Sequence, residues 1–260
     1  MLTCHFMGGL GNQLFQAAVT LSLGKEYKRE VVFPLNTDQS CSRKVSYNSS
    51  YFHKLHIGSD FRVNRIVTEN GFSYTPICLP KGNVKLKGYY QSDKYFNKHK
   101  SLILDTFVLP ERNRIAMGQK YKKILEHPSS VSIHIRRGDY LKFPDIHYVQ
   151  PITYYEKAVK HFNSKSLFVI FSDDIEWCKN QEFFKTLGDD VIFIKDMDYN
   201  ELYLMSVCKH NIIANSSFSW WGAYLNKHQR KKVIAPKQWF GPKGPTDIQD
   251  GVPDGWIVIS

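Results

Sequence analysis

The sequence predicts an α/β protein built from parallel strands and crossover helices, on three observations. Beyond residue 130, short apolar runs alternate with helical periods, the pattern of strands joined by crossover helices. Strands are expected at 131–135, 167–171, 191–194, 211–214 and 232–235, and helices at 152–162, 175–187, 200–209 and 218–226. Small and charged residues follow every one of those strands, which gathers them on the sheet edge where open α/β folds hold ligands. Finally, the chain opens with an apolar run at 2–6, a glycine-rich turn and a helix expected at 14–23, a further strand–turn–helix unit.

That opening turn reads Gly8-Gly9-Leu10-Gly11-Asn12-Gln13. Glycines let the backbone approach a ligand closely, and the helix N-terminus after them favours an anion. The spacing is neither the dinucleotide fingerprint nor a P-loop, so a plain tight turn competes with the binding reading. A strand is expected at 31–33, a polar loop at 36–50, an alternating strand at 84–91 and a short aromatic helix at 92–99. A boundary falls between 110 and 130, with a linking helix at 121–125. This divides the chain into 1–125 and 126–260.

The second half begins with Val131-Ser132-Ile133-His134-Ile135-Arg136-Arg137-Gly138-Asp139-Tyr140. Val131, Ile133 and Ile135 alternate with Ser132, His134 and Arg136, so the period is two. His134 and Arg136 therefore share a face at the strand's carboxyl end. Two adjacent guanidiniums there suit a diphosphate, which accepts planar, charge-assisted hydrogen bonds. A surface arginine pair held by Asp139 is the competing reading. Ser172-Asp173-Asp174 follows the next strand, one acid facing a ligand or Arg136 and the other capping a helix. Asn215-Ser216-Ser217 opens a helix, where the serines serve as a phosphate seat, an N-cap or both. Asp196-Met197-Asp198 matches a short metal-binding pattern but reads as a loop and helix cap. No metal site is expected.

Composition narrows the partners. The 260 residues include 17 Phe, 15 Tyr and 5 Trp, enough for a substantial core. The net charge of +11 suits an acidic ligand, an anionic membrane surface or nucleic acid. Basic residues are spread along the chain and no nucleic-acid signature is present, so no nucleic-acid partner is expected. Cys4, Cys41, Cys78, Cys178 and Cys208 form no C-x-x-C pair, which points to a reducing compartment. No signal sequence or membrane-spanning run is read. The expected location is cytoplasmic, with peripheral association on an anionic inner membrane face left open.

Several blocks carry a family resemblance: residues 8–16 (GGLGNQLFQ), 134–140 (HIRRGDY), 171–174 (FSDD) and 215–222 (NSSFSWWG). Together with Gly88-Tyr89-Tyr90-Gln91-Ser92 and Tyr95-Phe96, they resemble the α-1,2-fucosyltransferases, in order, from residue 2 to about Trp256. The bacterial branch fits best. The resemblance implies a GT-B-like fold of two Rossmann-like halves facing a cleft. The chain's compactness makes the N-terminal half reduced and irregular. It further implies GDP-L-fucose as donor and the 2-hydroxyl of a terminal galactose as acceptor; because the paired arginines already supply positive charge, no cofactor or metal is expected.

By that resemblance Arg136 meets the leaving β-phosphate, with Arg137 second, and His134 touches the nucleotide. A core histidine is the alternative for His134. Glu201 is expected to pair with guanine, or else to form a capping box with Asp198. Asp173, Asp174, Ser216, Ser217 and Phe218 complete the donor side. Gly9, Gly11, Asn12 and Gln91 belong to the sugar or acceptor side, with Tyr90 beside them. Asp139 is the catalytic acid–base candidate, with Asp145 and His147 behind it; Asp139 could instead anchor Arg137 or Tyr140. Residues 141–150 read as a loop that closes over substrate. A different GDP-fucose-dependent fucosyltransferase, α-1,6 or O-linked, is the alternative, as is a nucleotide-sugar-binding protein without turnover.

Overall fold

The computed structural model describes residues 1–35, 46–58, 62–188 and 191–260. Cys41 and most of the loop expected at 36–50 lie outside the described residues. Internal contacts divide the chain into two compact units, Met1–Pro110 with Asp247–Pro253, and Glu111–Thr246 with Asp254–Ser260.

In the first unit, β1 (Leu2–Cys4) leads through the glycine turn into α1 (Leu10–Glu26). The helix begins four residues earlier than expected because Gly9 takes the N-cap position in extended conformation, leaving Gly11 inside the first turn. Leu14, Phe15, Ala17, Ala18 and Val19 are fully buried along it. β2 (Arg65–Thr68) and β3 (Val84–Lys87) complete a parallel sheet of order β1-β3-β2. The strand expected at 31–33 appears as single parallel bridges, Leu2 to Val31 and Phe33 to Ile57. Since Leu2 also pairs with Val84, the chain runs to one side of β1 first and to the other side later. That makes the carboxyl end of β1 a topological switch point. The strand expected over 84–91 stops at Lys87, where Gly88 and a left-handed Tyr90 (φ 53°) turn the chain. The expected helix at 92–99 is two single 3-10 turns, followed by α2 (Lys100–Thr106). This half is reduced and irregular, as expected.

The second unit starts with α3 (Glu111–Lys120) and α4 (Lys122–Glu126). Then come β4 (Ser130–Ile135), α5 (Ile152–Val159), β5 (Leu167–Ser172), α6 (Ile175–Lys179) and α7 (Glu182–Lys185). β6 (Ile192–Ile194), α8 (Asp198–Val207), β7 (His210–Ile212), α9 (Ser217–Tyr224), β8 (Val233–Pro236) and β9 (Ile257–Ile259) follow. All six strands are parallel, in the order β6-β5-β4-β7-β8-β9. Counted from β4 this is 3-2-1-4-5-6, the dinucleotide-fold order. β4 and β5 are buried throughout, as strands covered on both faces must be. One core layer joins Val131, Ile133 and Ile135 to Tyr154, Tyr155 and Phe184. The other joins Val169 and Phe171 to Leu204 and Met205. The helix expected at 175–187 is broken in two, since Gln181 takes an extended conformation between α6 and α7. Cys4, Cys178 and Cys208 are small core residues.

Candidate active site

The switch point of the second sheet lies between β4 and its neighbour β7, where the strand order reverses. The two strands end in the arginine block and in Asn215-Ser216-Ser217, so pairing in register brings two distant motifs to one edge. β5 adds Asp173 and Asp174 beside them.

Arg136 is held by two carboxylates, with Nη2 2.6 Å from Asp139 and Nη1 3.1 Å from Asp173. Its side chain is 23% exposed, and its buried Nε has no partner. The guanidinium also lies 5.4 Å from the centre of the Tyr140 ring. Arg137 points elsewhere: Nε bonds Asp174 at 3.1 Å, and the guanidinium stacks 3.6 Å over Trp177. Asp139 therefore anchors Arg136, not Arg137 or Tyr140 as the sequence suggested. The turn is wound round Asp173, which also accepts the Arg137 backbone N–H at 2.9 Å. A Cβ on Gly138 would sit 2.5 Å from Asp173 Oδ2, so any larger residue there has to push the Asp173 carboxylate aside. Asp174 caps α6 through the Trp177 N–H. Of the two acids, Asp173 faces Arg136 and Asp174 does the capping.

His134 is buried under this turn and packs 5.6 Å from the Phe218 ring. Burial, and then the Arg136 charge, push its pKa down to about 3, so the imidazole is neutral. Its Nδ1 has no partner. Ser216 is the N-cap of α9, its hydroxyl accepting from the Phe218 N–H at 3.4 Å. Ser217 and Phe218 are half-buried in the first turn, and Trp220 and Trp221 are core residues.

Glu201 is buried, and desolvation raises its pKa from 4.5 to about 7. Its Oε1 accepts the Asp196 backbone N–H at 2.9 Å. The expected Asp198–Glu201 box does not form in that register: Met197 is the N-cap, and Glu201 reaches back beyond it. Asp196 meets Lys120 (2.7 Å), Tyr121 (2.9 Å) and Asn200 (2.9 Å), which hold its carboxyl down at about 2. Among the described residues, no group of three or more His, Cys, Asp or Glu could hold a metal ion.

Sequence reasoning gave no role to Asn215, which organises the loop beyond Tyr140. Its amide donates to the carbonyls of Tyr148 (2.8 Å) and Trp239 (2.5 Å), and its carbonyl oxygen accepts from Gln150. Tyr140 donates its hydroxyl to the Asn215 backbone carbonyl at 2.9 Å, and His147 stacks on the Tyr140 ring at 4.4 Å. The only advance signal was Asn215's place in a motif. The loop at 141–150 is tied down by the Gly241 N–H to Ile146 and by Lys243 to Asp145. Asp145 is thus paired, while burial lowers the His147 pKa.

In the first unit, Gly8 adopts φ +71°, and its carbonyl accepts from the Gln13 side chain at 2.9 Å. Gly9 is exposed with open space where a Cβ would be, and Gly11 is buried in α1. Asn12 accepts from Gln91 Nε2 at 2.8 Å, joining the glycine turn to the end of β3. Gly9, Gly11, Asn12 and Gln91 therefore gather at the switch point of the first sheet.

Two parallel Rossmann-like units, one carrying an arginine turn at its switch point, define a GT-B-like glycosyltransferase fold. The structure of NodZ α-1,6-fucosyltransferase soaked with GDP-fucose shares it, with TM-score 0.57 at 13% identity over 86% of this chain and 92% of that one. The description Glycosyl transferase family 11 matches residues 1–260, and the chain belongs to that family. It is similar to the O-antigen biosynthesis glycosyltransferase WbnK of Escherichia coli, 30% identical with 100% of both chains covered. An α-1,2-colitosyltransferase of Escherichia coli is also 30% identical, over 100% of this chain and 99% of its own. Galactoside α-(1,2)-fucosyltransferase 1 of Bos taurus is 30% identical over 55% of this chain and 43% of its own. No helix among the described residues is long and apolar enough to cross a membrane.

Proposed function

We propose that this enzyme transfers L-fucose from GDP-L-fucose to the 2-hydroxyl of a terminal galactose in a surface polysaccharide or oligosaccharide, with inversion. The observation that carries the reading is Arg136, a partly open guanidinium at the β4–β7 switch point. In the displacement the acceptor oxygen bonds the fucose anomeric carbon as the bond to the β-phosphate oxygen breaks. GDP leaves with the electron pair. Negative charge grows on that phosphate, where a preorganised guanidinium acts most strongly. Arg136 and the N-terminus of α9, with Ser216 and Ser217, stabilise this charge without a metal. Arg137 acts beside them by holding the turn against Asp174 and Trp177.

A diphosphate arriving at Arg136 competes with Asp139, the more exposed of its two carboxylates. The displaced Asp139 is then free to take the proton of the acceptor hydroxyl. His134 and Phe218 wall the nucleotide site, and Glu201 accepts from guanine. Residues 126–260 hold the donor in this reading. Residues 1–125, with Gly9, Gly11, Asn12 and Gln91, serve the acceptor side.

The α-1,2 names of two relatives and the motif resemblance support the linkage, and the Bos taurus relative supports galactoside and fucose. The colitosyltransferase supports a second donor, since colitose is fucose without its 3-hydroxyl. Turnover of GDP-fucose and GDP-colitose against a galactoside panel, with product linkage by NMR, tests both. An α-1,6 or O-linked product, or binding without turnover, would overturn the proposal.

A further inference from the structure

The first unit contains a half-buried carboxylate to which the proposed displacement assigns no task. Glu69 follows β2 and reaches the turn after β3. Its Oε2 accepts the Tyr89 backbone N–H at 2.6 Å, and its Oε1 accepts the Tyr90 N–H at 2.7 Å. Both oxygens are used, one on each of two successive amides. Gly88 makes room for this, since a Cβ there would sit 2.3 Å from the Glu69 Cβ.

The turn that Glu69 grips is strained. Tyr90 is left-handed at φ 53°, a conformation glycine would adopt at no steric cost. The tyrosine is kept there from both ends. Its ring is buried and meets Tyr95 edge-on at 5.3 Å, with its hydroxyl 3.2 Å from the Val67 carbonyl. Its N–H is fixed by Glu69. Strain of this kind persists only when the surroundings over-determine it, and it gathers at functional sites. The consequence here is directional: the chain leaves Tyr90 so that the next side chain, Gln91, meets Asn12 on the first turn of α1.

We infer that Glu69 is a positioning residue for substrate: by clamping the Tyr89–Tyr90 amides it holds Gln91 against Asn12 at the glycine turn. The inference rests on the proposed reading, in which Gln91 and Asn12 serve the acceptor side. Burial pushes the Glu69 pKa up to about 7, with Asp247 adding like-charge repulsion, so the fold tolerates a carboxylate at some cost there. An apolar residue would avoid that cost but leave two amides without an acceptor.

The test compares Glu69→Gln, Glu69→Ala and Gln91→Ala with the wild type. Glutamine matches glutamate in shape, but it has a single acceptor oxygen and sets its NH2 against the second amide. We expect kcat/KM for the acceptor to fall about 100-fold in both Glu69 variants, the scale of a 1 Å misplacement. GDP affinity by calorimetry should stay within about twofold of wild type, because the variants leave the arginine turn intact. Adding Gln91→Ala to Glu69→Gln should cost little more, as expected for residues acting through one another. Normal acceptor kinetics in a folded Glu69→Gln protein overturns the inference. So do additive losses, or a parallel loss of GDP affinity and thermal stability, which mark a purely structural role. If the Glu69 variants do not fold, normal turnover in Gln91→Ala overturns it, and a matching acceptor-specific loss supports it. Absence of fucosyl transfer by the wild type overturns the underlying reading and this inference with it. Transfer by the wild type with unaffected variants overturns the inference alone.

Discussion

Replacing Arg136 by alanine should separate catalysis from stability. The side chain makes two ion pairs, to Asp139 and to Asp173. The Asp139 side chain is 52% exposed, so that pair contributes about 0–1 kcal/mol. Asp173 is only 14% exposed, but it keeps the Arg137 N–H after the change, which limits its unpairing cost. A total near 1 kcal/mol lowers the melting temperature by about 2–4 °C for a chain this size. The catalytic loss should be larger. Removing one preorganised donor to a growing oxyanion costs about 3 kcal/mol of barrier, or about 100-fold in rate. It should fall mainly on kcat, since the charge on the leaving phosphate develops in the transition state. Arg136→Lys restores charge but not the planar fork, so rescue should be partial. Single-turnover kinetics with GDP-fucose, alongside melting curves, measures both quantities. Wild-type kcat in a folded Arg136→Ala protein would remove this residue from the mechanism.

The neighbouring glycine offers an independent check. Gly138→Ala drives a methyl into Asp173 and should disturb the arginine turn, lowering kcat about tenfold on the misplacement scale; unchanged kinetics would mean the turn relaxes freely. Glu201 binds its proton more tightly folded than unfolded, so its contribution to stability is full below pH 4.5 and is lost as pH rises to about 7. Glu201→Gln should therefore be the more stable protein at pH 8 in melting experiments, while its preference for GDP over ADP narrows in calorimetry. Unchanged base preference would leave Glu201 with only its cap on Asp196. Activity should survive exhaustive EDTA treatment; near-complete loss restored by Mn²⁺ or Mg²⁺ would end the metal-free reading. With net charge +11, the protein should co-sediment with anionic vesicles at low salt and release at high salt, and no binding at low salt would exclude peripheral association.

By itself the sequence determined the class of fold and the site's chemical vocabulary. Periodicity is local, so the parallel sheet beyond residue 130 and its polar carboxyl edge could be read from alternation and turn residues. The arginine, aspartate and serine blocks were legible for the same reason, each being contiguous in the chain. Edges and short elements were less so. β2 exposes most of its residues and β9 has three, so neither carries a clear buried face. The 31–33 strand shrank to bridges, and the 84–91 pattern was cut short by Gly88 and the left-handed Tyr90. Tertiary structure alone decided the pairings. Strand order places Asp173 beside Arg136, leaves Arg137 to Asp174 and Trp177, and makes Asn215 the anchor of the loop at 141–150. It also brings Glu69 to Tyr90 and Gln91 to Asn12, partners 21 and 79 residues apart. The physical reason is that a hydrogen bond depends on separation in space, and the order and register of the paired strands set which side chains distant in sequence come within hydrogen-bond reach of one another.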